Sequence, residues 1–288
     1  MKILITGSEG FLGERATAFL RNKHNVMSYG HKELDITNAN QVLKIIENQK
    51  PDVVIHCAAI SDTTYAQNHP EESKAINLQG TVNMARACAL IGSKFVFMSS
   101  DQVYSGCTER CALSEKSSIS PNNIYGLHKL EAECKTLELL PTAIGLRLTW
   151  MYDLPSSAYK LRGNLLVNLQ KAFENNIPIK VSRNEMRSIT SVWHVIERLE
   201  PCFKLPGGIY NFGCENPQNS YITFCAAAEA MGLPLHIVEL DTERFILQPR
   251  NLAIDISKLR HAGIDFPSTI HGIKMSLKED AKSRHPHL

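Results

Sequence analysis

Tyr125 and Lys129 stand four residues apart in a segment of helical pattern. On a helix that interval puts both side chains on one face, so a phenol and an ammonium can converge on one point. Such a pair suits proton transfer to a carbonyl oxygen that is being reduced. Far upstream, Gly7, Gly10 and Gly13 form a G-x-x-G-x-x-G turn that encloses Phe11 and Leu12 and follows the apolar run Ile3 to Ile5. A glycine turn in that place lets backbone amides approach a pyrophosphate, and the helix it opens adds a partial positive charge. Between a strand and a helix the motif points to dinucleotide binding, the alternative being a merely structural turn.

These residues need a scaffold that brings distant loops together. Short apolar runs recur at Ile3 to Thr6, Val26 to Tyr29, Val53 to Cys57, Phe95 to Met98 and Ala143 to Leu148. Between them lie apolar residues at helical spacing, such as Ala75, Leu78, Val82, Ala85 and Ala89. Strands alternating with helices predict an α/β fold with a doubly wound parallel sheet, Rossmann-like, and ligands beyond the carboxyl ends of the strands. After about residue 149 the regularity fades. Helices are expected near Leu165 to Phe173, Val192 to Leu199 and Ile222 to Met231, and a strand over Gly208 to Gly213. The expected division is a dinucleotide-binding domain over 1–149, with contributions from about 176–213, and a smaller discontinuous α/β substrate lobe from 150–175 and 214–288. The tail Lys282 to Leu288 is polar and reads as a frayed end.

Composition sets limits. The chain has 288 residues, 43% apolar and 21% charged, with 31 Lys plus Arg against 29 Asp plus Glu. So balanced a charge argues against nucleic acid or an anionic membrane as partner. The eight cysteines include no C-x-x-C pair, which reads as thiols in a reducing compartment. Cys107 and Cys111 lack a second pair or a histidine cluster, so no metal is expected. No apolar run suits a signal peptide or a membrane span, so a cytoplasmic, soluble protein is expected.

The glycine spacing, the pair Tyr125 and Lys129, and the run Ser99 Ser100 Asp101 Gln102 Val103 Tyr104 together resemble the extended short-chain dehydrogenase/reductase family, most closely its dTDP-4-dehydrorhamnose reductases. Further segments follow in the same order: Leu34 Asp35 Ile36 Thr37, His56 Cys57 Ala58 Ala59, Asn77, Arg147 Leu148 Thr149 Trp150, and Pro249 Arg250 Asn251. The resemblance implies that Tyr125 donates the proton when hydride reaches a keto carbon. It implies that Lys129 binds the nicotinamide ribose and lowers the tyrosine pKa, and that Ser100 holds the developing alkoxide. Ser99, Cys57, Ala58, Ala59 and Asn77 would line the cofactor, and Asp35 and Ile36 its adenine, although Asp35 could equally cap the next helix.

His31 and Lys32, at the end of the second strand, suit the 2′-phosphate of NADPH, while Glu33 keeps NADH open. On the substrate side, Arg187, Arg250 and Lys160 are either diphosphate ligands or surface cations. Trp150 and Trp193 either lie on a base or sugar or pack in the core. Gln102, Ser105, His128 and Asp153 depart from the reductases' usual residues and leave the sugar open. The leading expectation is reduction of a nucleotide-activated 4-keto-6-deoxysugar in deoxyhexose synthesis for polysaccharide, by a monomer or a homodimer. The alternatives are a nucleotide-sugar epimerase or dehydratase, and an NADP-binding regulatory subunit like that of methionine adenosyltransferase, whose retained tyrosine and lysine are shared with the enzymes.

Overall fold

The structure is a computed structural model that describes residues 1–155, 159, 161 and 163–284, with side chains to residue 279. Its first unit comprises Met1–Ser105, Ile119–Leu148 and Ile196–Tyr210; the second comprises Gly106–Ser118, Thr149–Val195 and Asn211–Leu288. Residues 176–195, which the sequence draws toward the sheet, and 106–118 both fall in the second unit.

A six-strand parallel sheet organises the fold. Its strands are β1 (Lys2–Thr6), β2 (Asn25–Tyr29), β3 (Val53–His56), β4 (Lys94–Ser100), β5 (Ile144–Leu148) and β6 (Gly208–Phe212). Their spatial order is β6-β5-β4-β3-β1-β2. Apart from the half-buried Lys2 at the start of β1, strands β1, β3 and β5 are buried throughout, which is why they read as apolar runs rather than alternating ones. Register sets Thr6 beside His56 and Ser99 beside Arg147, so the chemistry-bearing residues emerge together at the carboxyl ends.

The main helices of this unit are α1 (Phe11–Arg21), α2 (Ala39–Gln49), α3 (Thr81–Ile91) and α4 (Ile124–Leu139). Asn38 caps α2 by accepting from the Gln41 amide, and Asn123 caps α4 by accepting from the Gly126 amide. α3 stops at Gly92, whose φ of +76° few other residues adopt cheaply. Ahead of α3 the chain forms a π-helix over Lys74–Gly80, a feature outside the reach of helical periodicity.

One side of the sheet packs Leu4, Val54, Phe95 and Phe97 against Val42, Ile46, Met84 and Cys88. Phe97 stacks on Phe95 with ring centroids 5.6 Å apart. Phe97→Ala should therefore cost about 3–5 kcal/mol, read as a lower urea midpoint at unchanged slope.

The second unit has a core of its own, with Leu165, Leu169, Val181, Phe224, Ala228 and Val238 among its members. Its helices Leu165–Asn175 and Ser220–Ala230 lie where periodicity places them. The expected helix over Val192 to Leu199 is instead two short ones, Val192–Glu197 and Leu199–Cys202. Three two-stranded pairs escaped the sequence reading: Trp150–Tyr152 with Ile189–Ser191, Ile179–Ser182 with Val238–Asp241, and Glu185–Arg187 with Arg250–Leu252. The final helix, Thr269–Arg284, runs into the stretch expected to fray, of which 285–288 lie outside the described residues. Among the described residues no helix is long and apolar enough to cross a membrane.

Candidate functional site

The glycine turn is built by close approach. Gly7 has φ +66°, and a Cβ there would meet the Ala58 amide nitrogen at 2.6 Å. Gly13 packs against the carbonyl oxygen of Gly7, leaving no room for a methyl group. The loop after β1 thus rests on the backbone of Cys57 and Ala58 after β3. Gly10 is the N-cap of α1 and offers no side chain to its first-turn amides. Those amides suit an anionic ligand, so the residues fit a dinucleotide's pyrophosphate.

Beyond β2, His31 and Lys32 are exposed. Two carboxylates share that corner: a Cβ on Gly30 would lie 2.8 Å from an oxygen of both Glu9 and Glu33, and Glu33 accepts the Gly30 amide at 2.8 Å. Glu9 was missed in the sequence because it sits inside the glycine motif, far from the acidic position that motif predicts. Asp35 does not cap a helix. It accepts from the Thr37 hydroxyl and amide, at 2.7 and 2.9 Å, and those bonds hold its pKa below the usual value. Ile36 is buried against Gly80.

β3 ends in His56, whose ring bridges Thr6 at 2.7 Å and Thr81 at 3.2 Å. Thr81 gives its own proton to the Asn77 carbonyl, so His56 Nε2 donates to Thr81 and Nδ1 accepts from Thr6. Burial first, and then the charge of Lys129, push its pKa down to about 3, consistent with a neutral ring. Asn77, on the π-helix, clasps the backbone of Ile60 through both ends of its amide, at 2.9 and 3.0 Å. It also donates to Ser73, which bonds the His128 ring at 2.9 Å. His128 is thus a buried link from α4 to the π-helix.

At the end of β4, Ser100 accepts the Gln102 amide at 3.2 Å and hydrogen-bonds the Tyr125 phenol. Burial raises the Tyr125 pKa to about 12, with Ser100 pulling it down and Asp101 pushing it up. The phenol thus stands above its ordinary value, because burial dominates; the Lys129 nitrogen lies 5.8 Å from the ring centroid and donates to the Met98 carbonyl at 2.9 Å. Desolvation brings Lys129 down to about 8, opposed by Cys57 and then Glu133. The Cys57 thiol itself is pushed by burial up to about 12. Ser99 turns away from Ser100 and gives its proton to Glu133. Gln102 and Ser105 both bond Asn123, the cap of α4, and so brace the helix that carries Tyr125.

In the second unit, the Arg187 guanidinium lies over Trp150, 4.5 Å from the ring centroid. Arg250 pairs with Glu185 at 3.2 Å and lies 5.7 Å from the centre of Phe245. Trp193 donates to Asp153 at 3.1 Å. Lys160 lies outside the described residues. Sequence spacing alone could not pair these groups, since each partner comes from a separate segment.

Known proteins match this arrangement over nearly its whole length. Residues 1–270 match the family described as the RmlD substrate binding domain. The methionine adenosyltransferase 2 subunit beta of Bos taurus is 27% identical over 295 residues, which span 96% of this chain and 87% of that protein. The dTDP-4-dehydrorhamnose reductase of Mycolicibacterium smegmatis is 32% identical over 152 residues, 52% of this chain and 46% of its own. A crystal structure of dTDP-4-dehydrorhamnose reductase from Bacillus anthracis, in complex with NADP, superposes with a TM-score of 0.85 at 25% identity, covering 97% of this chain and 99% of the other. By fold, glycine turn and the tyrosine and lysine of α4 alike, the chain belongs to the RmlD substrate-binding-domain family of the extended short-chain dehydrogenases/reductases.

Proposed function

We propose that the protein reduces the keto group of a nucleotide-activated 4-keto-6-deoxysugar, as an NADPH-dependent oxidoreductase of the cytoplasm with NADH as the alternative cofactor. The observation that carries this reading is the hydrogen bond between Ser100 and Tyr125, one helical turn from Lys129. When bound, the dinucleotide supplies the hydride. Gly7, Gly10 and Gly13 would bring the amides before Phe11 and Leu12 to its pyrophosphate, and His31 and Lys32 would meet a 2′-phosphate. Cys57, Ala58, Ala59, Asn77 and Ser99 would shape the floor beneath the nicotinamide, with Asp35 and Ile36 at the adenine.

Ser100 would donate to the substrate's carbonyl oxygen and stabilise the charge that grows there. Tyr125, held protonated by burial, gives its proton to that oxygen, and Lys129 holds the ribose. The second unit would receive the sugar nucleotide, with Trp150, Arg187 and Arg250 as its contacts. Arg250 would then exchange Glu185 for phosphate. The protein acts as a monomer or a homodimer in this reading.

The pH dependence follows from Lys129. Its folded pKa of about 8 lies below the ordinary 10.5, so the ammonium is lost as pH rises through about 8. The kcat/KM for reduction should therefore fall above pH 8, well before Tyr125 ionises.

A second reading is favoured by one observation: the methionine adenosyltransferase subunit beta matches 96% of this chain. In that case the protein binds the dinucleotide and regulates a partner enzyme. One experiment separates the readings. Purified protein is mixed with dTDP-4-keto-6-deoxysugars and NADPH, and the nicotinamide absorbance is followed. Stoichiometric loss is expected. Product without net cofactor loss would mean an epimerase or dehydratase, whereas tight NADPH binding without turnover, together with altered methionine adenosyltransferase activity, would establish the regulatory reading.

A further inference from the structure

A single carboxylate beneath the reactive face of α4 gathers groups from two adjacent strands. Glu133 follows Lys129 by four residues, so the two share a helix face. It is 2% exposed. One oxygen takes the Ser99 hydroxyl proton at 2.5 Å and the Arg147 Nε proton at 2.9 Å; the other takes the Arg147 Nη2 proton at 2.6 Å. Ser99 and Arg147 are register partners on β4 and β5, so this one side chain clamps α4 to two adjacent strands. Arg147 reaches on to the Tyr104 hydroxyl at 2.6 Å. Burial works against the Arg147 charge, and Glu133 and Tyr104 outweigh it.

Lys129 is tied to the neighbouring residue of the same strand, through the Met98 carbonyl. Met98 and Ser99 are thus held by consecutive turns of one helix, and Ser100 follows directly. Around Lys129 stand His56 at the end of β3 and Cys57 just after it, Tyr125 and Glu133 from α4, and, behind Glu133, Arg147 from β5. Near neutral pH Cys57 is a thiol, His56 an uncharged ring and Tyr125 a phenol. Of the groups acting on Lys129, Glu133 alone then carries a negative charge.

We propose that Glu133 is a positioning residue: it keeps Lys129 charged and fixes the Met98–Ser100 strand end beneath the reacting carbonyl. This rests on the reduction proposed above and extends it to a residue that touches neither substrate nor cofactor. The clamp accounts for a buried ion pair that gains little stability over apolar packing.

The test reads the proton on Lys129 directly. Protein labelled with 13C at lysine Cε is titrated by NMR, and Lys129 is assigned by its loss in Lys129→Met. Glu133→Gln alone strands the Arg147 charge, so the deciding variant is Glu133→Gln with Arg147→Met. Arg147→Met alone measures what the guanidinium itself does to Lys129, and the double variant is read against it. The Lys129 midpoint is expected to fall by ~1 pH unit in the double variant, the size expected when a nearby opposite charge is removed. The basic limb of kcat/KM should move with it. An unchanged midpoint in the folded double variant would overturn the assignment. So would a double variant that no longer folds, because the pair would then be structural only. Absence of turnover in the wild type would remove the reductase reading and leave this titration intact.

Discussion

Tyr125→Phe is expected to lower reduction of a dTDP-4-keto sugar by ~10²–10⁴-fold, the usual worth of a positioned proton donor. The ring is 7% exposed and stays in place, because phenylalanine keeps every packing atom. Ser100 keeps its bonds to the Gln102 amide and Asp101. What disappears is the hydroxyl that Ser100 contacts. Stability and NADPH affinity should therefore change little, and the loss should appear in kcat rather than in the dissociation constant of the cofactor. Rapid turnover by the variant, followed at the nicotinamide band, would sink the proposed chemistry.

Gly7→Ala should act on the opposite end of the site and by another route. At φ +66° a residue with a Cβ costs about 1–2 kcal/mol in backbone strain. The new methyl would also lie within 2.8 Å of three backbone atoms of Cys57 and Ala58, which have no flexible end to yield. Overpacking of that kind costs a further ~1–3 kcal/mol. The loop must move away from its floor, carrying the amides after Gly7 with it. A displacement that costs ~1.4 kcal/mol of binding weakens NADPH tenfold, and at least that loss is expected by fluorescence titration. Wild-type stability and affinity in Gly7→Ala would show that the turn is not held as described.

The strands of the sheet were legible because parallel strands buried on both faces must be continuous apolar runs, and Ile3 to Ile5 or Val53 to Ile55 can be little else. Tyr125, Lys129 and Ser100 were legible because helix spacing and strand ends fix where such residues point. The π-helix was not. Ala75, Leu78 and Val82 satisfy helical spacing equally well, and the wider turn is associated with contacts from elsewhere: Ile36 against Gly80, and Ile60 bonded to Asn77.

Glu133 was equally hidden, since a glutamate late in a helix reads as surface until Ser99 and Arg147 arrive from two strands. Asp35 illustrates the converse. Its position before a helix suited a cap, but Thr37 offers a hydroxyl and an amide two residues away, and Asn38 takes the cap. The short strand pairs of the second unit carry too few residues to show a period.

The route of the chain has a consequence for how the protein comes into being. The polypeptide leaves the first unit after Ser105, returns at Ile119, leaves after Leu148 and returns at Ile196. The outermost strand of the sheet, beside β5, is supplied only by Gly208–Phe212. A ribosome therefore releases β5 with its flank bare, and that edge stays open to other chains until some sixty more residues have emerged, on the order of seconds at usual elongation rates. Truncations that end between Leu148 and Gly208 should accordingly aggregate rather than yield a smaller nucleotide-binding protein.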